Sequence, residues 1–81
     1  MDNYRISMPH RHTVRYEANE IALEFEVELT MDGVIFYCVA PRVISGTCSS
    51  YSEQADLVAD WLRRKFSKVE IDTSPPTQDI V

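Results

Sequence analysis

Apolar and polar residues alternate most cleanly over residues 21–29. Ile21, Leu23, Phe25, Val27 and Leu29 fall on one side of an extended chain, and Glu24, Glu26 and Glu28 on the other. Glutamate is a poor strand former, so burial of the apolar side has to hold this strand in place. Thr30-Met31-Asp32-Gly33 follows, and its Asp-Gly pair is a strong hairpin signal. The returning segment, residues 34–40, is apolar on both sides, as expected of a central strand or one whose outer side is covered. Pro41 predicts its end, because proline removes a ladder donor. Residues 43–48 read as a third short strand.

The period then changes from two to 3.6 residues. Tyr51, Ala55, Val58, Ala59, Leu62 and Phe66 form one helical stripe, with Asp56, Asp60 and Arg63 opposite. Ser50 and Glu53 have the spacing of a capping box, with Ser52 as an alternative cap, and Arg63-Arg64-Lys65 suits the negative end of the helix dipole. Residues 68–72 alternate again and predict a last strand, followed by a polar tail over residues 73–81. Near the N-terminus, residues 4–8 and 13–16 also alternate, with Pro9 between them, and either is a candidate N-terminal strand. The expected fold is α+β: a small antiparallel sheet of three to five strands with one helix packed across one face, all within one domain over residues 1–72.

Charge sharpens this picture. Residues 1–16 are mildly basic, whereas residues 17–32 hold Glu17, Glu20, Glu24, Glu26, Glu28 and Asp32 with no basic residue. That block accounts for much of a net charge of −5 on 81 residues. An acidic balance argues against direct binding to nucleic acid or to an anionic membrane surface, both of which need a basic face. The chain length allows one small domain without room for a large cavity beside a solid core. With 2 glycines, a Gly-rich phosphate loop is excluded. With 2 cysteines, Cys38 and Cys48, so is a disulfide scaffold. The first residues carry no apolar signal-peptide region, so a cytoplasmic location with reduced thiols is expected.

Alternate strand residues stand about 6.6–6.8 Å apart, and phosphates of one B-DNA strand advance about 3.4 Å per nucleotide. Glu24, Glu26 and Glu28 therefore match every second phosphate, and Asp32 extends the row. Such a row suits the basic groove of a protein that binds nucleic acid; the competing reading is a solvated sheet face. Leu57 and Trp61 lie off the core stripe and are either the margin of a wide apolar face or an apolar anchor for a partner. His10, His12, Cys38 and Cys48 lack the paired spacing of a zinc site, and nothing marks either thiol as activated. The glutamates are patterned as an exposed row, which leaves their acidity untuned for acid–base catalysis. A non-enzymatic protein without metal or cofactor is the expectation. Its predicted contact residues are Glu24, Glu26, Glu28, Asp32, Leu57 and Trp61.

The run Met31-Asp32-Gly33-Val34-Ile35-Phe36-Tyr37-Cys38-Val39-Ala40-Pro41, a short strand after it, and Glu53-Gln54-Ala55 opening a helix together resemble the compact sheet-and-helix domain of HicB-type antitoxins over residues 21–67. That resemblance implies a module neutralising a small basic toxin. As a very small, acidic, single-domain chain without catalytic signature, the protein is also similar in kind to phage-encoded anti-defence proteins, including anti-CRISPR inhibitors. That second resemblance implies an inhibitor covering a basic nucleic-acid-binding surface. A structural homodimer, with Ile35, Tyr37 and Val39 covering one another across a two-fold axis, is the third expectation.

Overall fold

The computed structural model describes residues 3–46 and 50–73. The elements in chain order are β1 (Tyr4–His10), β2 (Thr13–Ala18), β3 (Ala22–Leu29), β4 (Val34–Ser45), α1 (Ser52–Lys65) and β5 (Val69–Asp72). The class is α+β. Five strands form one sheet in the order β1-β2-β3-β4-β5, and α1 packs on one face of it. Both candidate N-terminal strands exist, joined by a tight turn at Arg11-His12. Pro9 sits in edge strand β1, within an irregular stretch between Ser7 and His10, where a missing donor is tolerated.

Three sequence expectations are corrected. First, the sheet is not wholly antiparallel: β1 to β4 form an antiparallel meander, but β5 runs parallel to β4. A parallel neighbour needs a crossover, and α1 supplies it. Second, Pro41 does not end the strand, and residues 43–45 do not begin a separate one. β4 runs through Pro41 to Ser45, while Cys48 lies outside the described residues. The register shows why. Tyr37 pairs with Glu26 and Arg42 with Glu24, so the residues from Cys38 to Pro41 bulge opposite Phe25. The ladder is interrupted there, and proline costs no hydrogen bond. Third, Tyr51, and not Ser50 or Ser52, takes the cap position of α1; its side chain makes no capping hydrogen bond, and its carbonyl accepts from the Ala55 N–H at 2.9 Å.

The core forms where the predicted stripes meet. Val14 and Tyr16 of β2, Leu23, Phe25 and Val27 of β3, and Val34 and Phe36 of β4 pack against Ala55, Val58, Ala59 and Leu62 of α1. Phe25 and Phe36 meet edge to face with ring centroids 5.3 Å apart, a favoured aromatic geometry. No polar or charged residue among those described is buried, so burial of these apolar side chains dominates the stabilisation.

The Asp-Gly hairpin is present, but glycine is required there for a different reason from the one its dipeptide implies. Gly33 is buried and does not occupy the left-handed region. A Cβ on it would overlap the backbone carbonyl of Lys68, the same oxygen that accepts from the Val34 N–H at 2.9 Å. Gly33 therefore lets the chain entering β5 close against the β3–β4 hairpin.

Candidate interaction face

Because α1 covers the face bearing Leu23, Phe25 and Val27, the alternate residues of each strand form an outer face on the other side. The cross-strand register groups them, since directly opposed residues share a face. Arg15 of β2, Glu24 of β3 and Arg42 of β4 lie side by side, next to the pair Arg5 and Glu17. Further along, Glu26, Tyr37 and Asp72 form one row across β3, β4 and β5, and Glu28, Ile35 and Glu70 form the next.

The two ends of this face differ in electrostatics. Arg15 Nη2 lies 2.6 Å from Glu24 Oε2, and its Nε donates to the same oxygen at 3.0 Å. Arg42 Nη2 reaches Glu24 Oε1 at 2.9 Å. Glu24 is thus clamped by two guanidinium groups, and its side chain is only 9% exposed. The hydrogen bonds from Arg42 and then Arg15 hold its carboxyl below the usual glutamate range, outweighing the effect of burial. Arg5 and Glu17 make a looser pair at 3.8 Å. Three arginines are committed to two carboxylates, so this end has little charge left to offer.

At the other end the carboxylates flank an apolar centre. Ile35 and Tyr37 are half-buried, while Glu26, Glu28 and Glu70 are exposed. Tyr37 Oη donates to Glu28 Oε1 at 2.9 Å. That bond favours the neutral phenol and raises the Tyr37 pKa above its ordinary value, with desolvation and the nearby charges of Glu28, Asp72 and Glu26 adding to the shift. Carboxylates on either side of β4 are separated by two strand spacings, roughly 9.5 Å, so each pair repels by only about 0.4 kcal/mol in water. Held negative charge is therefore cheap for this fold.

Of the residues predicted as contacts, Glu26 and Glu28 lie together on this acidic end. Glu24 shares their strand face, but its charge is taken up by Arg15 and Arg42. Asp32 lies in the β3–β4 loop, where Lys68 Nζ is 3.8 Å from Oδ2 and Thr30 Oγ1 donates to Oδ1 at 3.4 Å. Leu57 and Trp61 are half-buried against the core on the helix side of the sheet, and Lys65 Nζ sits 5.1 Å from the Trp61 ring centroid. The six residues are therefore not one patch. The predicted contact set lacks Tyr37, which the sequence offers only for a homodimer surface, and lacks Glu70 and Asp72 altogether. The signal for the last two was present, since Val69 and Ile71 alternate with them, but their placement depends on the parallel register with β4.

Cys38 is a free thiol on the helix side. It lines a groove of about 650 Å³ between α1 and the β4–β5 edge, together with Phe36, Ala55, Ala59 and Ile71. Among the described residues, no three histidine, cysteine or acidic side chains converge as metal ligands. No helix among them is long and apolar enough to cross a membrane. No protein-family model, curated protein or solved structure matches the chain.

Proposed function

We propose that this protein is a non-enzymatic inhibitor that binds another protein and covers its basic, nucleic-acid-binding surface, in the manner of phage-encoded anti-defence proteins. The observation that supports this reading is the pair of rows Glu28-Ile35-Glu70 and Glu26-Tyr37-Asp72. They set carboxylates on both sides of an apolar ridge on an open sheet face. The carboxylates would steer and orient a cationic surface, and the ridge would exclude water at the centre of contact. Glu24 orders the arginines beside the contact and does not bind directly.

The same geometry disfavours a homodimer through this face, because a two-fold axis would set acidic rows against each other. An antitoxin module would also meet a basic partner, but a toxin need not bind nucleic acid. The test is capture of partners from bacterial lysate by the intact protein, with elution by salt or by duplex DNA. A partner released by both, and not captured by a Glu26→Lys/Glu28→Lys/Glu70→Lys variant, supports the reading. Capture that survives the triple reversal or is indifferent to salt overturns it. Release by salt but not by DNA would replace the nucleic-acid-site reading with the antitoxin one.

A further inference from the structure

Among the described residues, no strand covers the outer side of β1 at one edge of the sheet or of β5 at the other. β1 to β4 alternate in direction and β5 runs with β4, so β1 and β5 are antiparallel to each other. Moving one copy of the chain across the sheet by five strand spacings, roughly 24 Å, therefore sets its β5 antiparallel to β1 of the next copy. Both helices then lie on the same side, and the repeat accommodates them, since a helix with its side chains is about 10–12 Å wide. The two edges also differ in charge. β1 carries Arg5 on the outer face and no acidic residue, whereas β5 carries Glu70 and Asp72 there.

We infer that copies of this chain associate head to tail, β5 of one adding to β1 of another, through edges that do not depend on the outer-face reading. One register satisfies both faces at once, because opposed residues of an antiparallel pair share a face. It sets Arg5 opposite Asp72 of the adjoining copy on the outer face. On the helix side it sets Ile6 opposite Ile71, and Met8 opposite Val69. Ile6, Met8 and Val69 are half-buried against the core and Ile71 is 38% exposed, so the added strand continues the apolar layer across the junction. Arg5 already makes the loose pair with Glu17 at 3.8 Å. Asp72 of the adjoining copy would bring a second carboxylate from the opposite side, the inverse of the two arginines on Glu24. Pro9 follows Met8, and Pro75 comes three residues after Asp72, so neither proline falls on a paired position. Charge selects this pairing over symmetric ones. β5 against its own copy would oppose Glu70 with Asp72, and β1 against its own copy would offer Arg5 no carboxylate. A head-to-tail contact does not close on a dimer, so assemblies grow with concentration.

The experiment is sedimentation equilibrium of the full chain at rising concentration. Four paired residues make a small contact, so dissociation constants of roughly 0.1–1 mM are expected. The weight-average mass should then pass the dimer value by about 1 mM chain. Arg5→Asp makes both edges acidic and Asp72→Arg makes both basic, so each variant alone should stay monomeric. Mixed in equal amounts they should associate again, since every junction then joins opposite charges. A monomer at about 1 mM wild type, a mass that levels off at the dimer, or a mixture no heavier than its separate variants would overturn the inference. Amide exchange of the wild-type chain needs no variant: protection along residues 5–8 should rise with concentration, and constant protection would count against strand addition. Glu26→Lys/Glu28→Lys leaves both edges unchanged and should associate as wild type does; failure of the outer-face reading is thereby distinguished from failure of this one.

Discussion

The outer face of the sheet has two ends built from the same residue types with opposite consequences. Around Glu24, opposed strands bring two arginines onto one carboxylate, and the charge becomes structure. Around Tyr37, the opposed positions are carboxylates and apolar residues, and the exposed Glu26, Glu28 and Glu70 form no ion pair among the described residues. Glu24 and Glu26 are two residues apart on one strand, with the same chemistry and the same orientation. What separates them is the partner across the ladder: Arg42 and Arg15 for one, Tyr37 and Thr13 for the other. Local sequence therefore sets the face on which a charge lies, and cross-strand register sets what that charge can do.

Charge reversal should separate the two ends most strongly. Glu24→Lys places a third cation between Arg15 and Arg42 and should cost about 2–3 kcal/mol of stability, read as a lowered midpoint in urea denaturation. Glu26→Lys should stay within about 0.5 kcal/mol of wild type, as exposed substitutions usually do. Equal losses would mean that the two ends are not distinct. Next in size, Glu24→Gln should cost about 1–2 kcal/mol, because a neutral amide keeps part of the hydrogen bonding and loses the charge. Partner affinity measured by calorimetry should be unchanged by it, whereas Glu26→Lys/Glu28→Lys should lower that affinity at least tenfold.

Acid titration gives a smaller, graded contrast. The Glu24 pKa is depressed in the folded state, so its contribution is fully present above the unfolded value, near pH 4.5. It is lost as pH falls through the lower folded value. Urea midpoints should therefore decline more steeply below about pH 4.5 in wild type than in Glu24→Gln, and parallel profiles would count against the clamp. The smallest effect is spectroscopic. Glu28→Gln should bring the Tyr37 ionisation back toward 10.0, read by ultraviolet titration of the phenol. In wild type the raised pKa favours folding below the unfolded value, and that contribution disappears as pH rises through the folded one.

Much of the fold was legible because the chain writes its stripes plainly. The alternation of Leu23, Phe25 and Val27 and the helical spacing of Ala55, Val58, Ala59 and Leu62 both mark side chains that the core buries. What escaped were properties of pairs of segments. Pro41 reads as a terminator because proline is judged locally, whereas a bulge is defined by the opposing strand. The strand over residues 69–72 was visible, but its parallel direction follows from how α1 crosses the sheet. The candidate site was half legible: Glu26 and Glu28 follow from periodicity, but the neutralisation of Glu24 by Arg42, eighteen residues away, does not. Leu57 and Trp61 were correctly placed off the main stripe, yet their side of the sheet follows only from the packed structure.

Gly33 gives the acidic end an unexpected genetic signature. Glu70 and Asp72, half of the two acidic rows, ride on a four-residue edge strand whose entry is seated by the Lys68 carbonyl against Gly33. Adding one methyl group at this turn would push that strand from β4 and carry both carboxylates out of register. A mutational scan would then score Gly33 among the residues that touch the partner, although it has no side chain and faces the protein interior. Amide exchange would expose the distinction, with protection lost along residues 69–72 before any partner is added.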